Sequence, residues 1–463
     1  MGAVPDKQPT YRFGALALAA AVTIALSVGA QAAEKQPASV WDQPTLTGDW
    51  DGARSAFKAK GIEVTLNYIG ETLALLSGGV NRRASYEGRL EFSVDTDLDK
   101  LIGWKGAATH FTIYQIHNSG HTAVENAGSL ADPSNIDALA TTRLFTAWFE
   151  QSFAERFSLR IGQLAGDDEF IVSPTAGGLI NGTFGWAGIL AADMTHGGPA
   201  YPLATPGARL KINAAENLTL LAAVFSGDPA GKNCNGNPQA CNRYGTTFSF
   251  SGGSLWMGEA QVAINQSKDA KGLPGVYKLG FWYASADFAD QHFGLNGAGA
   301  VVSLADPAAA GPLNHRGNFG VYGVADQMVW RGKDVSLNLF LRASASPSDR
   351  NLLSFYVDGG AGLKGPLPGR ADDVLSFGAA YAGISRDASA LDRDMAAAAP
   401  GFPIRDYEML FELSYQAQIA PWWIVQPDLQ YIVHSGGNVR NPNDPAAVIG
   451  NAFIAGLRST IKF

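Results

Sequence analysis

The 463-residue chain is long enough for two or three ordinary domains or for one large β-barrel. Its formal net charge of -8 argues against nucleic acid as a partner. After the N-terminal residues, no apolar stretch reaches the roughly 18 residues that a membrane-spanning helix needs, so membrane crossing by helices is excluded for the rest of the chain.

The N-terminal segment has the composition of a secretory signal peptide. Lys7 and Arg12 precede an apolar run over residues 13–28, and the small-x-small sequence Ala30-Gln31-Ala32 follows. This order predicts a signal peptide over residues 1–32, cleaved near its end, and therefore an exported protein. The alternative is an N-terminal membrane anchor, but the run is shorter than the roughly 20 residues of a spanning helix.

A linker and a short helix are predicted over residues 33–61. Asp51 is placed to cap a helix over residues 53–60, and Gly61 is placed to end it. From Ile62 onward, apolar and polar residues alternate along most segments. This period of two indicates β-strands.

The stretch YEGRLEFSVD, residues 86–95, illustrates the alternation. Successive side chains of a strand point to opposite faces, so Leu90 and Phe92 share one face while Glu87 and Arg89 share the other. Similar runs predict about sixteen strands. They begin near residues 62, 86, 107, 144, 157, 207, 218, 254, 276, 317, 335, 352, 373, 406, 422 and 448.

The predicted connections alternate in length along the chain. Long segments are expected after strands one, three, five, seven and nine, and tight turns after strands four, six, ten and fourteen. The long segments include residues 118–143, 164–206, 226–253 and 286–316. One end of the sheet therefore carries long loops and the other carries short turns.

This rhythm is typical of outer-membrane barrels, which have an even number of antiparallel strands, short periplasmic turns and long external loops. We predict an all-β fold, a sixteen-stranded antiparallel transmembrane β-barrel over residues 62–463, in the outer membrane of a Gram-negative bacterium. The apolar face of each strand is expected to meet lipid and the charged face a lumen. A soluble secreted β protein such as a lectin is the alternative, because its strands also alternate.

Several long stretches resemble the OprB-type carbohydrate-selective porins of Gram-negative outer membranes. They are LTGDWDGARSAFKAKGIEVTLNYIGE, GRLEFSVDTDLDKLIGWKGA, AWFEQSF, LRIGQL, DDEF, NGTFGW, YPLATPGARLKI, YQAQIAPWWIVQPDLQYIVHSGG and GLRSTIKF. The resemblance covers nearly the whole mature chain and is weakest over residues 226–316. It implies a sixteen-stranded barrel through which sugars diffuse, and a terminal Phe463 that the barrel-assembly machinery reads.

The side chains with lumen parity are the candidate wall of a sugar pathway, since a barrel of sixteen strands leaves an aqueous channel. The main candidates are Glu63, Glu87, Arg89, Glu91, Trp148, Glu150, Arg160, Trp282, Arg342 and Arg458, with Phe184 and Trp186 on the loop 164–206. The same parity adds Glu71, Glu259, Glu408, Glu412 and Gln430. Carboxylates accept from sugar hydroxyls, guanidinium groups donate to them, and a Trp face covers the apolar side of a sugar ring.

Each charged residue has the alternative role of a solvated wall without sugar contact. Because the candidate residues include both Glu and Arg, we expect no strong electrostatic potential of one sign, unlike in ion-selective pores, which have rings of one charge. We therefore predict passive, carbohydrate-selective diffusion of small neutral sugars of the glucose type. A general or ion-selective porin is the alternative within the same architecture.

Other functions find little support in the sequence. The G-x-S-x-G and H-E-x-x-H motifs are absent, so neither an enzyme nor a cofactor is predicted. DDEF at 167–170 is interpreted as a solvated acidic loop rather than a cation site. Cys234 and Cys241 are expected to form a loop disulfide, with a metal pair as the alternative. The expected partners are sugars, outer-membrane lipids and the assembly machinery, and a homo-oligomer stays open.

Overall fold

The computed structural model describes residues 39–463, so the predicted signal peptide lies outside the described residues. Sixteen strands form one antiparallel sheet that closes on itself, because β16 pairs with β1. The strands are β1 (Ile62–Gly79), β2 (Ala84–Asp97), β3 (Ala107–Asn118), β4 (Thr141–Phe153), β5 (Phe157–Leu164), β6 (Thr205–Ala215), β7 (Leu218–Ser226), β8 (Ser254–Ile264), β9 (Gly275–Asn296), β10 (Ala309–Arg331), β11 (Ser336–Ala345), β12 (Leu353–Lys364), β13 (Val374–Ile384), β14 (Tyr407–Ala420), β15 (Trp423–Val433) and β16 (Gly450–Lys462). The prediction of a closed sixteen-stranded β-barrel is confirmed.

Fifteen of these strands begin within three residues of their predicted starts. The exception is β10, which begins at Ala309 rather than near residue 317. The predicted loop 286–316 is therefore wrong in large part: β9 and β10 continue through it as a long hairpin, joined by the short strand Val301–Ser303. A long loop after β1 was also predicted and is absent, because β1 extends to Gly79 and only residues 80–83 separate it from β2.

The main α-helices are short; the first precedes β1 and the others lie in the connections between strands. They are α1 (Ala53–Ala59), α2 (Leu98–Ile102), α3 (Ala123–Ala127), α4 (Gly188–Asp193), α5 (Pro238–Cys241) and α6 (Arg386–Ala398). Gly52, not Asp51, is the N-cap of α1, and Asp49 accepts a hydrogen bond from the Ser55 N–H at 2.9 Å. Among residues 39–463, no helix has both the length and the apolar character needed to span a membrane.

Connections of contrasting length lie at the two ends of the barrel. At the short-turn end, residues 154–156, 216–217 and 421–422 join neighbouring strands. At the long-loop end, residues 119–140, 165–204, 227–253 and 385–406 are the main connections. The first two of these, called the 119–140 loop and the 165–204 loop below, fold into the barrel.

The two faces of the sheet have opposite chemistry, as the alternation predicts. On the outer face, Leu279, Leu341 and Phe281 are 71%, 54% and 53% exposed. Their neighbours Lys278 and Arg342 point inward, with side chains that are 9% and 0% exposed. The apolar row therefore faces away from the barrel and the charged row faces its interior.

The hydrophobic core lies inside the barrel, between its wall and the 165–204 loop. Ile189 and Leu190 of this loop are fully buried, and Tyr356 and Leu353 of β12 belong to the same buried cluster. The loop therefore fills part of the lumen as a packed plug of side chains. Open space remains between β2–β6 and this loop.

Candidate functional site

Acidic side chains of the inner wall hold the 119–140 loop in place. The Glu87 carboxylate accepts a hydrogen bond from the Ala123 backbone N–H at 2.9 Å. Glu408 accepts one from the Leu130 backbone N–H at 2.8 Å. A buried backbone N–H needs a partner, and a carboxylate is a strong acceptor, so these contacts fix the loop inside the barrel.

The 165–204 loop is anchored in the same way, by carboxylates of β14 and β8. Glu412 accepts from the Asn181 backbone N–H at 3.0 Å, and Glu259 accepts from the Ile171 backbone N–H at 2.7 Å. Both carboxylates are buried. The acidic residues of the inner wall thus satisfy loop backbone that would otherwise lie unpaired in the barrel interior.

Two arginines complete the anchoring of the loops. Arg342 is fully buried, pairs with Asp358 through Nε at 2.9 Å, and donates from Nη2 to the Thr183 carbonyl oxygen at 2.9 Å. Arg458 pairs with Glu71 and donates to the Asn135 side chain of the 119–140 loop at 2.7 Å. These guanidinium groups bind loop atoms and do not reach open water.

A cavity of about 650 Å³ remains between β2–β6 and the 165–204 loop. It extends to the short-turn end, since Glu155 and Asn213 beside the turns line it. Its polar and aromatic lining is Glu91, Asp95, His110, Thr112, Tyr114, Phe145, Thr146, Trp148, Glu150, Ser152, Glu155, Phe157, Ser158, Arg160, Asp168, Glu169, Arg209, Lys211 and Asn213.

Four charged side chains form a closed quartet on the cavity wall. Arg160 donates to Glu150 and to Glu169, each at 2.7 Å. Arg209, on the neighbouring strand, donates to the same two carboxylates at 2.7 and 2.9 Å. Alternating charges at these distances stabilise one another, so the quartet is neutral as a unit and ties the 165–204 loop to β4, β5 and β6.

Trp148 stands between two partners and offers no free face. Arg160 of β5 lies 3.8 Å from the ring centroid, which is a cation–π contact. His110 of β3 stacks on the ring with centroids 5.0 Å apart. Because β4 lies between β3 and β5, the two partners approach from opposite sides, and only the edge of the Trp148 ring is left for a solute.

Further acidic groups face the cavity without a permanent cation as partner. Asp95 is hydrogen-bonded to His110 at 2.7 Å and its side chain is 52% exposed. Asp168 of the 165–204 loop also lines the cavity. Desolvation by the surrounding protein, together with the neighbouring carboxylate of Asp167, raises the pKa of the Asp168 carboxyl to about 7.

The predicted lumen residues fall into two groups. Glu91, Trp148, Glu150 and Arg160 line the cavity. The other charged candidates face the interior but do not line it, and each has a contact that explains why. Those residues are Glu87, Arg342 and Arg458, which hold loops, and Glu63, which pairs with Lys58 at 3.2 Å in an exposed position at the short-turn end.

Arg89 lies between these groups. Its guanidinium carbon is 4.7 Å from the ring centroid of Tyr114 and 5.2 Å from that of Tyr201. Its nearest carboxylate, Glu91, is 3.8 Å away. The aromatic rings cover the guanidinium, so Arg89 supports the cavity wall from behind rather than forming its surface.

The three aromatic candidates outside the cavity were predicted to line the pathway, and the structure corrects this. Phe184 is 2% exposed and packs edge-to-face on Phe340 with centroids 6.1 Å apart. Trp186 is 9% exposed and donates from Nε1 to the Gly197 carbonyl oxygen at 3.1 Å. Trp282 has lumen parity but is 1% exposed beneath the packed loop. All three belong to the hydrophobic core because the loop buries them.

Two further sequence features have plain structural roles. Cys234 and Cys241 are joined by a disulfide bond. In the DDEF segment, Asp167 accepts from the Tyr201 backbone N–H at 2.9 Å, and Glu169 belongs to the quartet. No cluster of His, Cys, Asp or Glu suited to a metal ion occurs within residues 39–463.

The sequence reading missed Arg209, Asp168, Glu169 and His110 as cavity residues. The sequence carried a signal for Arg209, because Arg209 and Lys211 share one parity in the alternating run of β6. In the structure, Arg209 pairs in register with Arg160. Asp168 and Glu169 carried no such signal. They reach the cavity because the 165–204 loop folds inward, which periodicity does not encode.

Comparisons with known proteins agree with this architecture. The family profile described as carbohydrate-selective porin, OprB family, matches residues 81–463. Porin B of Pseudomonas aeruginosa is 26% identical over 468 residues, covering 95% of each protein. The putative porin QuiX of Acinetobacter baylyi is 24% identical over 455 residues, covering 91% of this chain and 94% of that protein. The high pH structure of Pseudomonas putida OprB has a TM-score of 0.78 at 24% identity, covering 91% of this chain and 99% of that one.

Proposed function

Because this chain belongs to the OprB family of carbohydrate-selective porins, we propose that small neutral sugars diffuse passively through its barrel by way of the cavity at β2–β6. The barrel lies in the outer membrane of a Gram-negative bacterium. The observation that carries the proposal is the cavity itself: about 650 Å³, within the range of about 300–1,000 Å³ of small-molecule sites, inside a closed barrel.

The cavity wall suits a solute rich in hydroxyl groups. Glu91, Asp95 and Asp168 present acceptors to the cavity, and Ser152 presents a hydroxyl. A sugar hydroxyl both donates and accepts, so it exchanges its bonds to water for bonds to this wall. A solute without hydroxyls loses its hydration and gains less in return.

Weak binding follows from the covered faces of Trp148. With Arg160 and His110 on its two sides, the ring provides no platform for the apolar face of a sugar, and the contacts that remain are hydrogen bonds. Passage needs a site weak enough to release its solute. A millimolar site, about 4 kcal/mol, meets this need.

The same proposal covers the remaining partners. Outer-membrane lipids would surround the apolar outer face, and the barrel-assembly machinery would read Phe463. Transport would proceed without a catalytic step. Phe463 lies beside the barrel seam, where its backbone N–H donates to the Leu66 carbonyl oxygen at 2.8 Å.

A liposome-swelling assay tests the pathway. We expect glucose to enter proteoliposomes several times faster than a zwitterionic amino acid of similar size. Ser152→Trp, which fills the cavity, should reduce glucose entry by about tenfold. Leu159→Trp, on the lipid side of the neighbouring strand, is the matched control and should leave it unchanged.

Two outcomes would contradict the proposal. Equal entry of sugars and amino acids would indicate a general porin. Full glucose entry in the Ser152→Trp variant, with normal heat-dependent gel mobility of the folded barrel, would mean that sugars follow another route.

A further inference from the structure

The charges around the cavity do not balance. Six carboxylates line it, whereas its lining has only two arginines and one lysine. The carboxylates are those of Glu91, Asp95, Glu150, Glu155, Asp168 and Glu169, and the cations are Arg160, Arg209 and Lys211. Inward-facing residues of both charge signs occur along the strands, but the charged residues that line the cavity are mostly acidic.

The two arginines are not available to an anion that enters. Arg209 donates through Nε and Nη2 to Glu169 and Glu150 and through Nη1 to Ser158 at 2.8 Å. Arg160 donates through Nε and Nη1 to the same carboxylates, and the Trp148 ring covers one face of its guanidinium group. An arriving carboxylate or phosphate could bind them bidentately, as such groups prefer, only by breaking the quartet.

Three of the four acids outside the quartet, Asp95, Glu155 and Asp168, have no arginine or lysine partner, whereas Glu91 lies 3.8 Å from Arg89. Asp95 is hydrogen-bonded to a histidine instead of a permanent cation. Glu155 lies in the exposed turn between β4 and β5, and Asp168 faces the cavity from the 165–204 loop. Among the lining residues, Lys211 is the one cation outside the quartet. The field inside a cleft with low-dielectric walls is focused along its length, so a solute in this cavity meets a negative potential.

We propose that the cavity sorts sugars by charge, admitting neutral hexoses and amino sugars and rejecting hexuronates, hexonates and sugar phosphates, with Asp95, Glu155 and Asp168 as the residues that determine this specificity. The inference rests on the proposed function and adds a substrate class to it. The same field makes the pore prefer cations over anions in simple salt.

Tracer uptake into proteoliposomes separates the inference from its premise. Glucose, glucosamine and glucuronate have nearly the same size and differ in charge. We expect glucose uptake to exceed glucuronate uptake at least tenfold at low salt, and glucosamine uptake to equal or exceed that of glucose. The ratio should shrink in 1 M salt, where the Debye length falls to about 3 Å.

A triple variant tests the assignment of residues. Asp95→Asn, Glu155→Gln and Asp168→Asn together should bring the glucose-to-glucuronate ratio to threefold or less. The matched control is Asp99→Asn, Glu216→Gln and Asp334→Asn, which removes the same charge from exposed connections between strands at the same end of the barrel, outside the cavity lining. This control should keep the wild-type ratio.

Each result has one meaning. Absence of glucose uptake by the wild-type barrel would overturn the proposed function. Glucose uptake with equal glucuronate uptake would overturn charge sorting while the sugar pathway stands. A triple variant that assembles, by its heat-dependent gel mobility, yet keeps the tenfold ratio would overturn the assignment to these three acids.

Discussion

Arg160 and Arg342 share strand parity, and their different surroundings show what decides the role of an inward-facing residue. Arg160 lines open space, whereas Arg342 is fully buried against Asp358 and loop carbonyls. The difference comes from the 165–204 loop, which covers Arg342 and leaves Arg160 beside the cavity. Parity therefore predicts that a side chain faces the interior, and the loop determines whether it meets water.

Asp168 should make ion selectivity depend on pH. The pKa of its carboxyl is raised to about 7, chiefly by desolvation and then by Asp167, against the opposing effects of Arg160 and His110. A raised pKa means that the group is neutral below about pH 7 and charged above it. The preference for potassium over chloride, read from the reversal potential in a salt gradient, should therefore increase as the pH rises from 6 to 8.

The Asp168→Asn variant is the control for this titration. It keeps every other titratable group of the cavity, including His110, Glu169 and Arg160, so the difference between the two pH profiles belongs to Asp168. We expect the variant to show a flatter profile and a lower cation preference at pH 8. Identical profiles for the two proteins would assign the titration elsewhere.

At the scale of elements, the 165–204 loop acts as a folded unit held by wall carboxylates. Glu412 accepts from the backbone N–H groups of Ile180 and Asn181. The chain before and after these residues packs into the core. Each buried N–H left without a partner costs about 1–3 kcal/mol, so one carboxylate substitution should loosen this loop without unfolding the barrel.

Glu412→Ala should therefore increase single-channel conductance by at least twofold and expose residues near 175–185 to protease. Glu408→Ala is the matched comparison, because Glu408 holds the 119–140 loop instead. Its protease-sensitive site should appear near residue 130. Cleavage at the same site in both variants would show that the two carboxylates do not anchor separate loops.

The sequence predicts strands far better than loops in this molecule, for a physical reason. A strand between lipid and water must alternate, and the starts of β1, β3 and β5 are predicted without error. The outer half of the β9–β10 hairpin is rich in Gly, Ala and Asn and lacks a regular alternation, so it was predicted as a loop. The quartet needed Glu169 from a folded loop, and only its strand residues carried a sequence signal.

At the scale of the whole molecule, stability in the membrane depends on which face of the closed sheet meets lipid. Leu279 is 71% exposed on the outer face of β9, and its neighbour Lys278 points inward toward Glu259 at 3.8 Å. Adjacent residues of one strand thus occupy opposite environments. They allow the orientation to be tested without changing the position along the barrel.

Leu279→Arg should destabilise the folded barrel, because a charged side chain on the lipid face near the bilayer midplane costs about 2–4 kcal/mol. Lys278→Arg keeps a cation in the interior and should fold nearly as well as the wild type. Urea titration of folding into lipid vesicles measures both. The introduced guanidinium group would lie on the lipid side of the closed sheet, so it could reach water only by extending toward the membrane surface, tilting the barrel or thinning the bilayer, each of which costs free energy. If Lys278→Arg were the more damaging change, the inner and outer faces would be reversed.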